Sequence, residues 1–589
     1  MNTSLFPSRS KTTGGLTLAS LLLATQAVTL AADWNTTTAP FGDPNSWNPT
    51  GVPTGSTAAN ILNSGTAQIV NGDTFSVGTF SIGGQSGIGT VSQSGGSITA
   101  TQIILGGSDT GGSTGVGTYN MTGGTLTGAG ADRELWIGSK GGTGNLTMSG
   151  SAAISNTGAW IVIGRDTGGT ANVSMSGSSS ISQIGNGNFA IGVNSGTTST
   201  VTMGGTSSIS TGNELRVGFI GGAATTGVLN LNDSSTATSG GNLWVGLQSA
   251  GQMTLSNNAS ATGGIVVAGG DGGGNGTITV NDNATLTANQ DLLVSWNGAS
   301  GVFTQNGGNV VTHAFTGIDN TGASVTVNGS NGVNGVVNLN GGTLSTTGFN
   351  KPANTATLNF NGTVVKVTGN TTTGSFINNF GNGEINVQAG GAKFDTNGNS
   401  ITILQDLAGA GGLTKQGAGS LTLTGASAYT GATTISGGSL VLDASERISN
   451  SSSLMLAGGT LDLNSFDETL DALTLTSSST IDFGNLASAN AVAFANSSGN
   501  AWTGVLTLTN FAPGSDAISF AGAGLTGDQL SRIQYIFNDT LFVGSGFNGD
   551  NVVFTAVPEP SSVALVGSAA LVCSFGILRR RARLAVKIS

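Results

Sequence analysis

Charge is scarce in this chain. Only 8% of its 589 residues are Asp, Glu, Lys or Arg, where about 25% is usual for a soluble domain. Helix formers are also few, so a bundle of ion-paired helices is excluded. One cysteine is present, Cys573, inside an apolar C-terminal run. The body therefore has no disulfide and no thiolate metal site. The single histidine, His313, stands between Thr312 and Ala314 with no acid or nucleophile adjacent; it offers no general base of the usual kind. No Gly-Lys-Ser/Thr follows a glycine-rich stretch, so nucleotide phosphate loops are absent. Neither cofactor nor metal is expected.

The basic residues sit mostly at the ends. Residues 1–32 and 557–589 hold 7 of the 17 basic residues and 1 of the 28 acidic ones, leaving a body of 10 against 27, net −17. Such a body repels phosphate backbones, and nucleic acid is excluded as a partner. Glycine is abundant, 100 residues, and the polar remainder is rich in Ser, Thr and Asn, which suit turns and strand edges. Hydrophobic residues still make up 37%, enough to argue for burial rather than disorder.

The N-terminus has the three parts of a secretory signal peptide. Arg9 and Lys11 give a positive start, Leu16 to Leu30 an apolar stretch, and Ala31 and Ala32 small residues for cleavage before Asp33. At the other end Val563 to Leu578 is an apolar run, followed at once by Arg579, Arg580 and Arg581. Its length is near the lower limit of a membrane span, and the arginines would stay cytoplasmic. Pro558-Glu559-Pro560 precedes the run, and its prolines keep it extended and accessible.

From about residue 75 the chain repeats. Short apolar strands end at Ile82, Leu105, Ile137, Ile163, Ile191, Val217, Val245, Val267 and Val294. Their mean period is about 26 residues, inside the range of stacked repeats. A second set, anchored at Ile98, Leu126, Ile154, Ile181 and Ile209, recurs at 28, 28, 27 and 28. One such unit cannot bury its own apolar face, but stacked units can. Propeller blades are longer, so the period predicts an all-β, right-handed parallel β-helix, an elongated β-solenoid of about ten coils rising ~4.8 Å each. Asn145, Asn172, Asn230 and Asn281 are expected at its turns. Residues 33–74, with Trp34 and Trp47, are expected to cap one end and residues 486–556 the other. Within the latter, Thr526-Gly527-Asp528-Gln529 reads as a capping box opening a helix to Ile533. Strands are expected at Tyr535–Phe537, Leu541–Val543 and Val552–Thr555.

Two resemblances add to this. The tripeptide, apolar run and arginine cluster together resemble the PEP-CTERM sorting signal of Gram-negative bacteria, over residues 557–589. The resemblance implies recognition of Pro558, Glu559, Pro560 and Arg579–Arg581 by an exosortase-type membrane protease. It also implies an inner-membrane intermediate, delivery to the cell surface, outer membrane or matrix, and association with extracellular polysaccharide. The stretch GGLTKQGAGSLTLTG followed by YTGATTISGGSLVL, within Leu407 to Leu442, resembles the passenger-associated transport repeat, also called the autotransporter-associated β-strand repeat; residues 401–485 continue in its style. In that family the repeat lies in a β-helical passenger exported through a membrane barrel. Only about a hundred residues follow Gly484, and they end in the apolar run and arginines, so no such barrel is expected here.

Polysaccharide-cleaving enzymes also use β-helices, and a lyase or hydrolase is the rival reading. Its site would need carboxylates converging on one groove. The densest charge cluster of the repeats, Asp132-Arg133-Glu134, reads instead as a solvated turn, and the glycine-rich stretch around Asp271 as a turn rather than a cation loop. An ice- or mineral-binding plane, suggested by Thr422/Thr424 and Thr474/Thr476, would need a flat threonine ladder over many coils, which is not expected. Strand alternation points the middle residue of each first strand outward: Ile104, Trp136, Val162, Ala190, Arg216, Trp244, Val266 and Leu293. This apolar stripe, with Trp136, Arg216 and Trp244 as contact residues, is the candidate binding face for a matrix polysaccharide. The expectation is a non-enzymatic structural or adhesive surface protein.

Overall fold

The computed structural model describes residues 31–312, 325–329, 333–352, 354–370 and 374–557. The residues expected to form the signal peptide's basic and apolar parts, His313, and the sorting signal with its apolar run lie outside them. Ala31 is exposed, and Ala32 opens the first strand, Ala32–Trp34, where it pairs with Ala59. Among the described residues no helix is long and apolar enough to cross a membrane.

The chain winds into a parallel β-solenoid of about 18 turns, which at ~4.8 Å per turn is roughly 85 Å of shaft. Most turns supply one strand to each of three faces; the turn between Leu442 and Leu454 has none on its second face. In the first sheet an unbroken register of inward residues climbs from Ala32 and Ala59 through Phe80, Ile103, Leu135 and Ile161. It continues through Phe189, Leu215, Leu243, Val266 and Leu292 to Val325, Phe349 and Ile377. The Phe376 N–H then donates to the Thr402 carbonyl at 2.7 Å, carrying the sheet on to Ser400–Ile403 and the later coils. The inward residues of all three sheets form one continuous core. Strand alternation explains it: in the second and third sheets buried and solvent-facing positions alternate, while the first sheet is covered on both faces over much of its length.

Coil length changes along the shaft. Between Phe80 and Ile377 the first-sheet steps are long and uneven, the shortest being Phe80 to Ile103 and Leu243 to Val266, the longest Leu292 to Val325. Between Ile401, Leu421, Leu440, Leu461 and Ile481 the coils are shorter and nearly uniform, with spacings of 20, 19, 21 and 20. The glycine closing most first-sheet strands has a steric cause. Gly138 has φ +68° and lies where a Cβ would meet the Thr170 carbonyl oxygen at 2.0 Å, so the chain can turn there only without a side chain.

Three of the four asparagines expected at turns are instead in strands. Asn145, Asn172 and Asn230 lie within Thr143–Met148, Thr170–Met175 and Leu215–Leu231. They face outward, where stacking allows amide-to-amide bonds: Asn172 Nδ2 donates to Asn145 Oδ1 at 3.0 Å. Asn281 follows its strand, as expected, and receives Asn306 Nδ2 at 2.9 Å.

Both ends are closed. At the N-terminal end Trp47 is fully buried, with Trp34 and Phe41 edge-on to it at 5.0 and 4.9 Å and its Nε1 donating to the Phe41 carbonyl at 2.9 Å. At the other end the Thr526 capping box forms with both of its hydrogen bonds. Its helix is shorter than expected, Gly527–Ser531, because Ile533 already belongs to a strand pairing with Leu506. That strand, Ile533–Phe537, continues into antiparallel Thr540–Asn548 and Asn551–Ala556, the last of which pairs back onto Ser519. The edges of the final coil are thereby covered.

Candidate functional site

The outward residues of the first sheet stack in register as Ile104, Trp136, Val162, Ala190, Arg216, Trp244, Val267 and Leu293. One expected member changes. Val266 pairs with Leu243 and faces the core, and Val267 takes the outward place. Three apolar residues in succession, Ile265 to Val267, leave alternation unable to fix the register there.

This ladder is largely roofed by its own neighbours. Ile104, Trp136 and Val162 form a second small apolar cluster, packed under Trp160 and Val193. Trp136 is 6% exposed. Its Nε1 donates to Glu134 Oε2 at 2.6 Å, and the Arg165 guanidinium lies 4.5 Å over its ring. Arg165 is itself ion-paired with Glu134. Farther along, the Arg216 guanidinium packs against both Trp160 and Phe219, at 5.0 and 4.3 Å from the two rings. Those rings are 5.9 Å apart even though they lie two coils apart in the chain. Arg216 is ion-paired with Glu214, whose other oxygen accepts Trp244 Nε1 at 3.2 Å.

Arg216 and Trp244 are thus brought together through Glu214, and Trp160, which packs on the Trp136 cluster and against Arg216, links the two groups. Glu134, Trp160, Arg165, Glu214 and Phe219 were not among the expected face residues. For the two glutamates a signal was available: Glu134 and Glu214 each stand two residues before an outward residue, immediately ahead of its strand. Glu134 leaves the expected solvated cluster to join Trp136, whereas Arg133 faces Asp109 at 3.9 Å. The half-buried rings of Trp160, Phe219 and Trp244, with Arg216 among them, are the accessible part of this strip.

The third sheet carries an array that sequence order conceals. Two outward columns run side by side over nine coils. One is Thr74, Ser97, Thr125, Ala153, Ser180, Ser208, Thr236, Ser260 and Thr285. The other is Ser76, Thr99, Thr127, Ser155, Ser182, Ser210, Thr238, Thr262 and Thr287. The columns form a ladder of mixed serine and threonine hydroxyls, interrupted once at Ala153 and away from the threonines that suggested a plane. Thr422 stacks beside Val441, and Thr474 beside Met455. Side chains ~4.8 Å apart along the shaft and about 6.6 Å apart across it make a regular grid. No residue in the grid is charged. Neighbouring hydroxyls bond along it, Ser210 to Ser182 at 3.0 Å and Thr127 with Ser155 at 3.3 Å.

Buried charges gather instead in the short coils. Lys415 is fully buried, and its Nζ donates to the carbonyls of Gln416, Gly417 and Gly437 at 3.2, 2.8 and 2.9 Å. Burial pulls its pKa down to about 8, with Asp395 opposing. Glu468 accepts the N–H groups of Arg447 and Ile448, both at 3.0 Å. Burial pushes its carboxyl up to about 7 against those bonds. Both groups bridge successive coils, which is the work of a structural lock.

Among the described residues no three His, Cys, Asp or Glu side chains are placed to hold a metal. Asp271, in its glycine-rich turn, receives the side-chain amides of Gln248 and Asn297. A cleft of about 640 Å³ beside Ser108–Thr114 is lined by hydroxyls, glycines and Lys140 without a carboxylate. A neighbouring one of about 440 Å³ holds Asp33 and Asp109. Asp33 accepts Asn60 Nδ2 at 2.9 Å, and Asp109 faces Arg133.

Fold and surface define a repeat solenoid whose outward ladders are its only extended regular features among the described residues. The passenger-associated-transport-repeat family matches it at residues 248–271 and 413–442. The second match falls in the expected segment. The first was not expected; it begins in the coil that steps from Leu243 to Val266, one of the shortest of the long-coil part. No curated protein and no solved structure matches the chain. Both matches lie within the parallel β-solenoid, and the repeat is one associated with exported autotransporter passengers.

Proposed function

We propose that the protein is a non-enzymatic structural or adhesive rod of the cell surface or extracellular matrix, associated with exopolysaccharide. The passenger-associated repeat at two levels of one solenoid is the observation that carries this reading. The proposal includes sorting by an exosortase-type protease. Pro558, Glu559 and Pro560 would be its recognition element, and Arg579, Arg580 and Arg581 the cytoplasmic stop beyond the apolar run. Glu559→Ala should leave a longer, membrane-retained form in cell fractions. Unchanged mass and location would refute the sorting step.

For the contact surface, the strip of Trp160, Arg216, Phe219 and Trp244 supports stacking on sugar rings, with the guanidinium donating to their oxygens. The hydroxyl grid favours a second reading, contact with a flat, ordered, neutral surface rich in hydroxyls. Binding to isolated matrix polysaccharide separates the two. Trp244→Ser should weaken binding if the strip is the contact, and Thr127→Lys with Ser182→Lys if the grid is. Retention of full binding by both variants would remove both faces.

A further inference from the structure

Exposed large apolar side chains are scattered singly along the shaft, as is ordinary. Among the described residues they gather only at its C-terminal cap. Leu486, Ile536, Phe537 and Val557 are all exposed there, Ile536 at 68%. Register puts Ile536, Leu541 and Val557 on one face of the terminal hairpin, and Phe537, opposite Thr540, on the other. Ile536 lies opposite Leu541, and the Leu541 carbonyl accepts the Val557 N–H at 2.8 Å. Leu486 lines the same groove of about 470 Å³ as Ile536 and Phe537. The hairpin reverses at Asn538 and Asp539, both with positive φ (47° and 61°), the two-residue turn that matches strand twist. Phe537 therefore stands at its tip.

Closing the core does not require this patch. The face opposite Ile536 does that, with Tyr535 and Phe542 stacked at 4.9 Å; Phe537 follows them on that face but is exposed at the turn. What the patch adjoins is the point where the described chain ends. Val557 is part of it, and Val563, the first residue of the apolar run, is six residues farther on. Six residues reach about 20 Å at most.

We infer that this patch docks on a lipid surface. With Val563–Leu578 in the bilayer, Ile536 and Phe537 rest at the boundary of headgroups and acyl chains in the same membrane. The inference rests on the reading of that run as a span. Asp539 at the hairpin tip disfavours anionic headgroups, so the occupant is zwitterionic phospholipid. Docking holds Pro558-Glu559-Pro560 between cap and span, at the membrane surface, where a membrane protease can reach it.

The only cysteine provides the control. Full-length protein would be reconstituted in phosphatidylcholine vesicles carrying a shallow spin-labelled lipid. A fluorophore would be placed on Cys573, or, in a Cys573→Ser background, on Ile536→Cys or on the remote exposed site Ile184→Cys. Quenching at 573 reports insertion of the run. The expected result is quenching at 573, together with quenching at 536 about threefold or more above that at 184. Adding Phe537→Asp should lower quenching at 536 and leave 573 unchanged. Quenching at 573 with 536 no different from 184 would overturn the docking surface alone. No quenching at 573 would overturn the span reading and the inference with it. A blue-shifted but unquenched label at 536 would mean that a second copy or the chain's own C-terminal segment covers the patch, which also overturns it.

Discussion

Trp136→Ser separates a roofed tryptophan from an accessible one. Trp136 is 6% exposed, and a tryptophan buries up to about 250 Å². At ~25 cal/mol per Å² its burial contributes about 6 kcal/mol as an upper estimate. Core truncations of this size cost about 3–5 kcal/mol. Arg165 and Lys140, over the ring at 4.5 and 6.0 Å, can settle into part of the space, so about 3 kcal/mol is expected. That is roughly a hundredfold in the local opening equilibrium. In a solenoid the loss stays near the mutated coil. Hydrogen exchange read by mass spectrometry should thus accelerate about a hundredfold in Leu135–Ser139 and Ile161–Arg165. Trp244→Ser, at a half-buried ring, should cost about 1 kcal/mol, with a correspondingly small change in Leu243–Leu255. Unchanged exchange in Trp136→Ser, or equal effects of the two substitutions, would refute the roofed arrangement.

Glu468 has a folded pKa of about 7 against 4.5 for the free side chain, so the folded state binds more protons between those values. Stability of its coil is full below pH ~4.5 and falls by about 3 kcal/mol as pH rises through 7. Intrinsic-rate-corrected exchange at Glu468–Leu470 should be faster at high pH, and a flat profile would contradict the burial. A Cβ on Gly187 would sit 1.1 Å from the Ala159 carbonyl oxygen, so Gly187→Ala should cost about 3 kcal/mol and open Ala159–Gly187 to limited proteolysis; a protease-resistant variant would show that the coils can part without loss. The far-UV circular dichroism of the full chain should be β-type and unchanged by a chelator. Loss of signal would mean that turns such as that of Asp271 hold a cation.

The fold was legible because burial imposes a period. Ile98, Leu126, Ile154, Ile181 and Ile209 do stack in one third-sheet ladder. Register failed only where apolar residues run together, at Ile265–Val267. The candidate face was less legible. Which residues point outward follows from alternation, but whether they meet solvent depends on partners a whole coil away. Arg165 comes over Trp136 from the next coil, just after Gly164 turns the chain with φ +74°. The hydroxyl grid was hidden for the same reason. Successive members of a column are a full coil apart in a chain full of Ser and Thr, and only three-dimensional register selects these from the rest.

The uneven coils have a consequence for reach. The path from Leu421 to Leu440 is short and that from Leu292 to Val325 long, yet each pair is one strand spacing, ~4.8 Å, along the axis. Residues added to a turn widen the rod and leave its height alone; only a whole new coil lengthens it. Stature is therefore counted in digits, and the closed ends stop the count. A lineage could decorate the flanks of such a mast freely while the distance from its base to its tip stayed fixed to within one step.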